Sequence, residues 1–207
     1  TIRAMFRVVI LGSGASLPTL QRHPAAVAVQ YEGDVHLFDC GEGTQLQWRR
    51  TPLRFGRLRS IAISHLHGDH VNGLVGLMQT LSLGDRVDPL TVFGPRGLSD
   101  YLDAIQRYQG VRFGYAVTIT ESGGGTLLET EDYRIDCVPL DHGPPTLGYA
   151  CVESTRPGRK TTAAQVYGTC RAGARRTDLA PGRSPPRKCR SQSLPGLAPP
   201  DQSSGLI

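Results

Sequence analysis

Several features are scarce or missing in this sequence. No run approaches the ~18 apolar residues that a membrane-spanning helix needs, so no membrane partner is expected. Five cysteines (Cys40, Cys137, Cys151, Cys170, Cys189) form no Cys-x-x-Cys pair and are irregularly spaced. That argues against a disulfide framework and for a reducing compartment, the cytoplasm. No Gly-x-Ser-x-Gly occurs, which removes the usual serine-hydrolase elbow. The Gly12-x-Gly14 pair is followed by Leu17 where a dinucleotide-binding turn needs a third glycine. Lysine is limited to Lys160 and Lys188, and no histidine follows His142. The first residues lack the charged, then apolar, then small-residue order of a cleaved signal and read as a first strand.

The net charge of +5 is unevenly placed. Residues 1–159 hold 15 basic and 16 acidic residues, whereas 160–207 hold 8 and 2. The composition changes at the same point. Up to about residue 155, short apolar runs alternate with turn signals. Residues 6–12, 25–31, 34–40, 59–65, 90–94 and 146–153 read as strands, and 126–140 as a hairpin around Glu131-Asp132. Val71, Leu74, Val75, Met78 and Leu81 follow helical spacing, which predicts a helix over 70–82. Leu98, Tyr101, Leu102 and Ile105 predict a second. Strands punctuated by helices imply a layered α/β fold over 1–159. From 160 on, Pro, Gly, Ser and Arg dominate without period, and the segment 160–207 reads as disordered or out of frame.

The densest chemistry lies in Ser64-His65-Leu66-His67-Gly68-Asp69-His70. Three imidazoles and a carboxylate fall within six residues, between a predicted strand and a predicted helix. Histidine is the commonest metal ligand, and aspartate binds metals or moves protons. His65 and His67, two apart at a strand end, point to one side. Asp69 and His70, at the turn into the helix, are placed to face a second ion. Gly68 allows the tight turn between the pairs. A polar loop without ligands is the plain alternative, and four such residues at this spacing weigh against it. His142, at the end of a predicted strand, is a further candidate, although a lone histidine there is more often structural. His23 and His36 have no such context and read as surface or loop residues. Arg49, Arg50, Arg54, Arg57 and Arg59 put five cations in eleven residues. They form either a phosphate-contacting strip or a solvated basic face.

The His-x-His-x-Asp-His stretch resembles the hallmark of the metallo-β-lactamase superfamily. Phe38-Asp39-Cys40-Gly41-Glu42-Gly43-Thr44-Gln45 is similar to the FDCGEGTQ motif of the ribonuclease Z family, whose members process tRNA 3′ ends. Residues 11–19 with Arg22 resemble that family's first strand and loop, and His142 followed by Gly148-Tyr149 resembles its third metal-binding histidine. The resemblance implies an αββα sandwich, two zinc ions, and His65, His67, Asp69, His70 and His142 among their ligands. It also implies Asp69 as proton acceptor, precursor tRNA as substrate, and a homodimer; on the phosphate-contacting reading of the basic run, Arg49, Arg50 and Arg54 would touch that tRNA.

The resemblance covers roughly residues 5–160 and then departs. The family continues with a tRNA-gripping arm, a bridging aspartate and a final histidine. No matching histidine exists here, and neither Asp178 nor Asp201 sits in an apolar strand. The sandwich is therefore expected to be incomplete, with one sheet face uncovered and a second metal position short of ligands. These 207 residues are expected to fall short of a competent nuclease. Two other classes stay open: another hydrolase of the same fold (a phosphodiesterase or lactonase), and an inactive fragment or basic-tailed binding module.

Overall fold

A computed structural model describes residues 5–154 and the backbone of 163–166. Phe6–Gly12 (β1), Ala26–Tyr31 (β2) and Asp34–Phe38 (β3) form an antiparallel meander, with the Glu32-Gly33 turn between the last two. Leu58–Ala62 (β4), Leu90–Gly94 (β5) and Val117–Glu121 (β6) extend the sheet in parallel, in the order β1-β2-β3-β4-β5-β6. The crossovers are helical: Thr44–Trp48 (α1) before β4, Gly68–Val71 (α2) and Leu74–Leu83 (α3) before β5, and Leu98–Gln109 (α4) before β6. Gly125–Glu129 (β7), Tyr133–Leu140 (β8) and Thr146–Glu153 (β9) make an antiparallel second sheet.

Side-chain alternation along the strands builds both cores. Ala28, Leu37, Ile61 and Val92 face α1, α3 and α4, where Trp48, Leu77, Met78 and Leu102 are buried against them. Val29, Phe38, Ala62 and Phe93 point the other way and meet Ile135, Leu147, Tyr149 and Cys151 of the second sheet. The described residues thus form a helix layer on two stacked sheets, three of the four layers expected. Both sheets are present. The uncovered face is the outer side of the second sheet, where Arg134 and Asp136 are half-buried and Val138 is exposed.

Four expectations need correction. His36 is neither a surface nor a loop residue; it is buried in β3. Its ring bridges the sheets, with Nδ1 2.7 Å from Ser60 Oγ and Nε2 2.7 Å from Tyr133 Oη. The helix predicted over 70–82 is two helices, because the Gly73 N–H bonds Cys40 O instead of continuing the helical ladder. Elements the pattern did not signal, α1 and β6, are short, and β6 is an edge strand with alternating exposure. Regular structure also continues past 160: Ala163–Val166 (β10) pairs antiparallel with β9. Ladder hydrogen bonds come from the main chain, and the open edge of β9 accepts a strand without help from side-chain period. The rest of the expected disordered or out-of-frame segment, including Asp178 and Asp201, lies outside the described residues. No helix among the described residues is long and apolar enough to cross a membrane.

Candidate metal centre

The histidine motif is assembled at the C-terminal end of β4 by three main-chain bonds and one phenol. Cys40 donates its N–H to His70 O at 2.8 Å, and Gly73 donates to Cys40 O at 2.8 Å. These bonds lock the segment after β3 against the α2 turn. The fit leaves no room for a side chain: a Cβ on Gly73 would lie 2.0 Å from Gly41 O, and one on Gly41 2.6 Å from Asp69 O. From the second sheet, Leu147 donates its N–H to Ser64 O at 2.8 Å, and Tyr149 donates its hydroxyl to Ile63 O at 2.7 Å. The β8–β9 turn is therefore fixed over the motif, and His142 is carried to His65, with ring centroids 4.9 Å apart.

One nitrogen each from His65, His67 and His142 lie within 4.8 Å of one another, and His65 Nε2 is 3.0 Å from His67 Nδ1. Two nitrogens held at 2.0–2.1 Å on a tetrahedral ion stand about 3.3 Å apart, so this set fits zinc with a modest closure of the third ligand. Beside it, Asp69 Oδ2 lies 3.5 Å from His70 Nε2, and the His70 ring is 4.1 Å from that of His65. The structure thus places the five expected ligands as a trio and an adjacent pair.

Electrostatics suit a cation. Burial, reinforced by His70, pushes His65 from its ordinary 6.5 to about 4, so its lone pair is available at neutral pH. Burial works against ionising Asp69, but the Ser16 N–H at 2.8 Å and neighbouring His70 outweigh it, and the carboxyl sits below its ordinary range. His70 moves up: burial opposes the shift, and the hydrogen bond and charge of Asp39 overcome it.

Residues 36–173 match a family described as a beta-lactamase superfamily domain. The short form of human tRNase Z has a crystal structure that superimposes with a TM-score of 0.70 at 31% identity, over 80% of this chain and 69% of that one. The chain belongs to the ribonuclease Z family of the β-lactamase superfamily. A ribonuclease Z of Methanosarcina mazei is 41% identical over 155 residues, which span 75% of this chain and 51% of that protein. One of Acaryochloris marina is 36% identical over 189 residues, 86% of this chain and 60% of that protein. The chain thus spans between half and three fifths of these two relatives.

Two parts of the ribonuclease Z motifs take roles that spacing did not reveal. Asp39 was legible in the motif but had no assigned role. It sits at φ 57 with its side chain turned inward, accepting from Ser64 N and Oγ and pairing with His70 Nδ1 at 2.7 Å. Ser16, also at positive φ, holds Asp69 through its main chain. A backbone donor leaves no trace in side-chain patterns. The arginines lie elsewhere. Arg49, Arg50, Arg54 and Arg57 are exposed on the connection that enters the start of β4, while the histidines follow its end; β4 itself spans ~17 Å. Arg49 stacks on Phe55, and Arg59 is paired with Asp34 at 2.9 Å.

Proposed function

We propose that this chain carries the metal-binding part of a zinc-dependent endoribonuclease that removes the 3′ trailer from precursor tRNA. The observation that carries the reading is the convergence of His65, His67 and His142 from two different sheets, with Asp69 and His70 alongside, in a chain of the ribonuclease Z family. In this reading His65, His67 and His142 hold the first ion, and Asp69 and His70 contribute to the second.

Bound zinc would lower the pKa of water and stabilise charge on the leaving oxygen. Asp69, ionised at neutral pH, orients the attacking water and takes its proton. The water oxygen bonds to phosphorus, the bond from phosphorus to the 3′ oxygen breaks, and that oxygen leaves with a proton as the new 3′-hydroxyl. Arg49, Arg50 and Arg54 are exposed on the connection that precedes β4, and their proposed contacts are with the flanking tRNA backbone. The three described cysteines are free and buried, in keeping with a cytoplasmic home. Exposed Leu17, Leu20 and Leu46 offer apolar surface for the proposed homodimer, which sedimentation would test.

The test joins residues 5–160 to the second half of a curated ribonuclease Z and supplies zinc and precursor tRNA. Cleavage on the 3′ side of the discriminator base, lost in His65→Ala, is the expected result. Rapid hydrolysis of a lactone or β-lactam with precursor tRNA untouched would assign the protein to a sister family.

A further inference from the structure

Ser64 stands between one carboxylate and both halves of the histidine cluster. Its hydroxyl oxygen is 2.9 Å from Asp39 Oδ2, 2.9 Å from His65 Nδ1 and 3.3 Å from His70 Nδ1, all in buried surroundings. The Ser64 N–H donates to the other oxygen, Asp39 Oδ1, at 2.7 Å. A hydroxyl has one hydrogen to give, and an ionised carboxylate only accepts. At 2.9 Å from Asp39 Oδ2, the hydroxyl hydrogen must go to the carboxylate, because the alternative sets two acceptors against each other without water. With that hydrogen spent, Ser64 Oγ has only lone pairs for His65. The Nδ1 of His65 therefore carries the ring proton, and its Nε2 presents a lone pair beside His67. The same Asp39 Oδ2 takes a hydrogen bond directly from His70 Nδ1 at 2.7 Å, which leaves His70 Nε2 facing Asp69.

We propose that Ser64 is a positioning residue of the metal centre: through its hydroxyl the single carboxylate of Asp39 fixes the tautomer of His65, as it fixes that of His70 directly. One buried acid thereby sets a ligand for each of two adjacent ion positions. Ser64 acts through His65 and touches neither substrate nor metal. Partners of this kind orient ligand imidazoles, and their loss typically costs 10–100-fold in metal affinity. The inference rests on the reading of residues 65–70 as a metal centre.

The test begins with metal-free, 15N-histidine-labelled protein of the full 207 residues. Long-range proton–nitrogen spectra at pH 7.5 should show His65 protonated at Nδ1. An Nε2-protonated His65 in the unaltered protein would overturn the proposal without recourse to any variant. Ser64→Ala should abolish the bias toward that tautomer and weaken zinc binding 10–100-fold in competition with a chelator dye. Ser64→Thr keeps the hydroxyl and should restore both. A Ser64→Ala protein with unchanged tautomer and affinity would also overturn it. If the unaltered protein takes up no zinc, the metal-centre reading fails, and the His65 tautomer still decides whether Ser64 sets the ring.

Discussion

His36 and His65 are both buried histidines pushed from 6.5 to about 4, and their neighbours give them different roles. His65 meets other imidazoles and lies open to a cation. His36 meets a serine and a tyrosine and ties β3 and β4 to β8. For His36 burial is the main cause, and Asp34 only partly opposes it. Between pH 6.5 and 4 the unfolded chain binds a proton that folded His36 refuses, so stability falls as pH drops through that window. The shift is worth roughly 3 kcal/mol at 1.36 kcal/mol per pH unit. His36→Gln keeps polar contacts and removes the titration. Urea unfolding at pH 7 and pH 4.5 should therefore show a smaller acid loss in the variant than in the parent; equal losses would mean that folded His36 takes up its proton as readily as the unfolded chain does. At Asp69, substitution by Ala in the chimeric nuclease should lower the cleavage rate by about 100-fold or more, with little change in tRNA affinity, because in the proposed mechanism the carboxylate moves a proton and does not grip RNA. Single-turnover rates and filter binding separate the two effects.

At the scale of elements, the site depends on how the β3 end meets α2 and α3. Gly41 and Gly73 let two main chains touch, and Cys40 bonds both His70 and Gly73 across the contact. Gly73→Ala puts a methyl into Gly41 O and should cost about 1–3 kcal/mol or more by overpacking, with loss of metal binding as the motif shifts. Gly76 is one turn further along α3, and a Cβ there meets only the end of the Gln45 side chain at 3.2 Å. That amide can swing aside, so Gly76→Ala should gain up to about 1 kcal/mol from helix propensity. Opposite shifts in Tm for two glycines three residues apart would mark the contact as specific. Equal losses would show that α3 as a whole resists side chains.

For the whole molecule, the proposed centre has three imidazoles among the described residues for its first ion and only Asp69 and His70 for its second. Purified protein should hold nearer one zinc than two per chain by elemental analysis. Two tightly held zincs would mean that ligands outside the described residues complete the second site. Because the trio spans the β4 end and the β8–β9 turn, a bound ion cross-links the two sheets and acts on stability through linkage. Zinc at about 100 times its dissociation constant contributes about 2.7 kcal/mol, or roughly 5–10 °C in Tm for a domain of this size. A chelator should reverse that rise, and no change on chelation would place the metal, if any, outside the core.

Most strands, many of their bounds, the family and the candidate donor residues were legible in the sequence because each leaves a local mark. Period-2 runs mark β1 to β5, and helical spacing marks α3 and α4. His65, His67, Asp69 and His70 crowd one short stretch, whereas His142 was a candidate through the family resemblance and not through its strand end alone. Tertiary structure alone decided the rest. The burial of His36 follows from Tyr133, 97 residues away. The break before α3 follows from a carbonyl at Cys40. The roles of Asp39, Ser64 and Ser16 come from hydrogen bonds that join β3, β4, the first loop and α2. A sequence records which donors and acceptors exist, but pairing them needs distances, and those distances are fixed only when the two sheets and the helix layer pack.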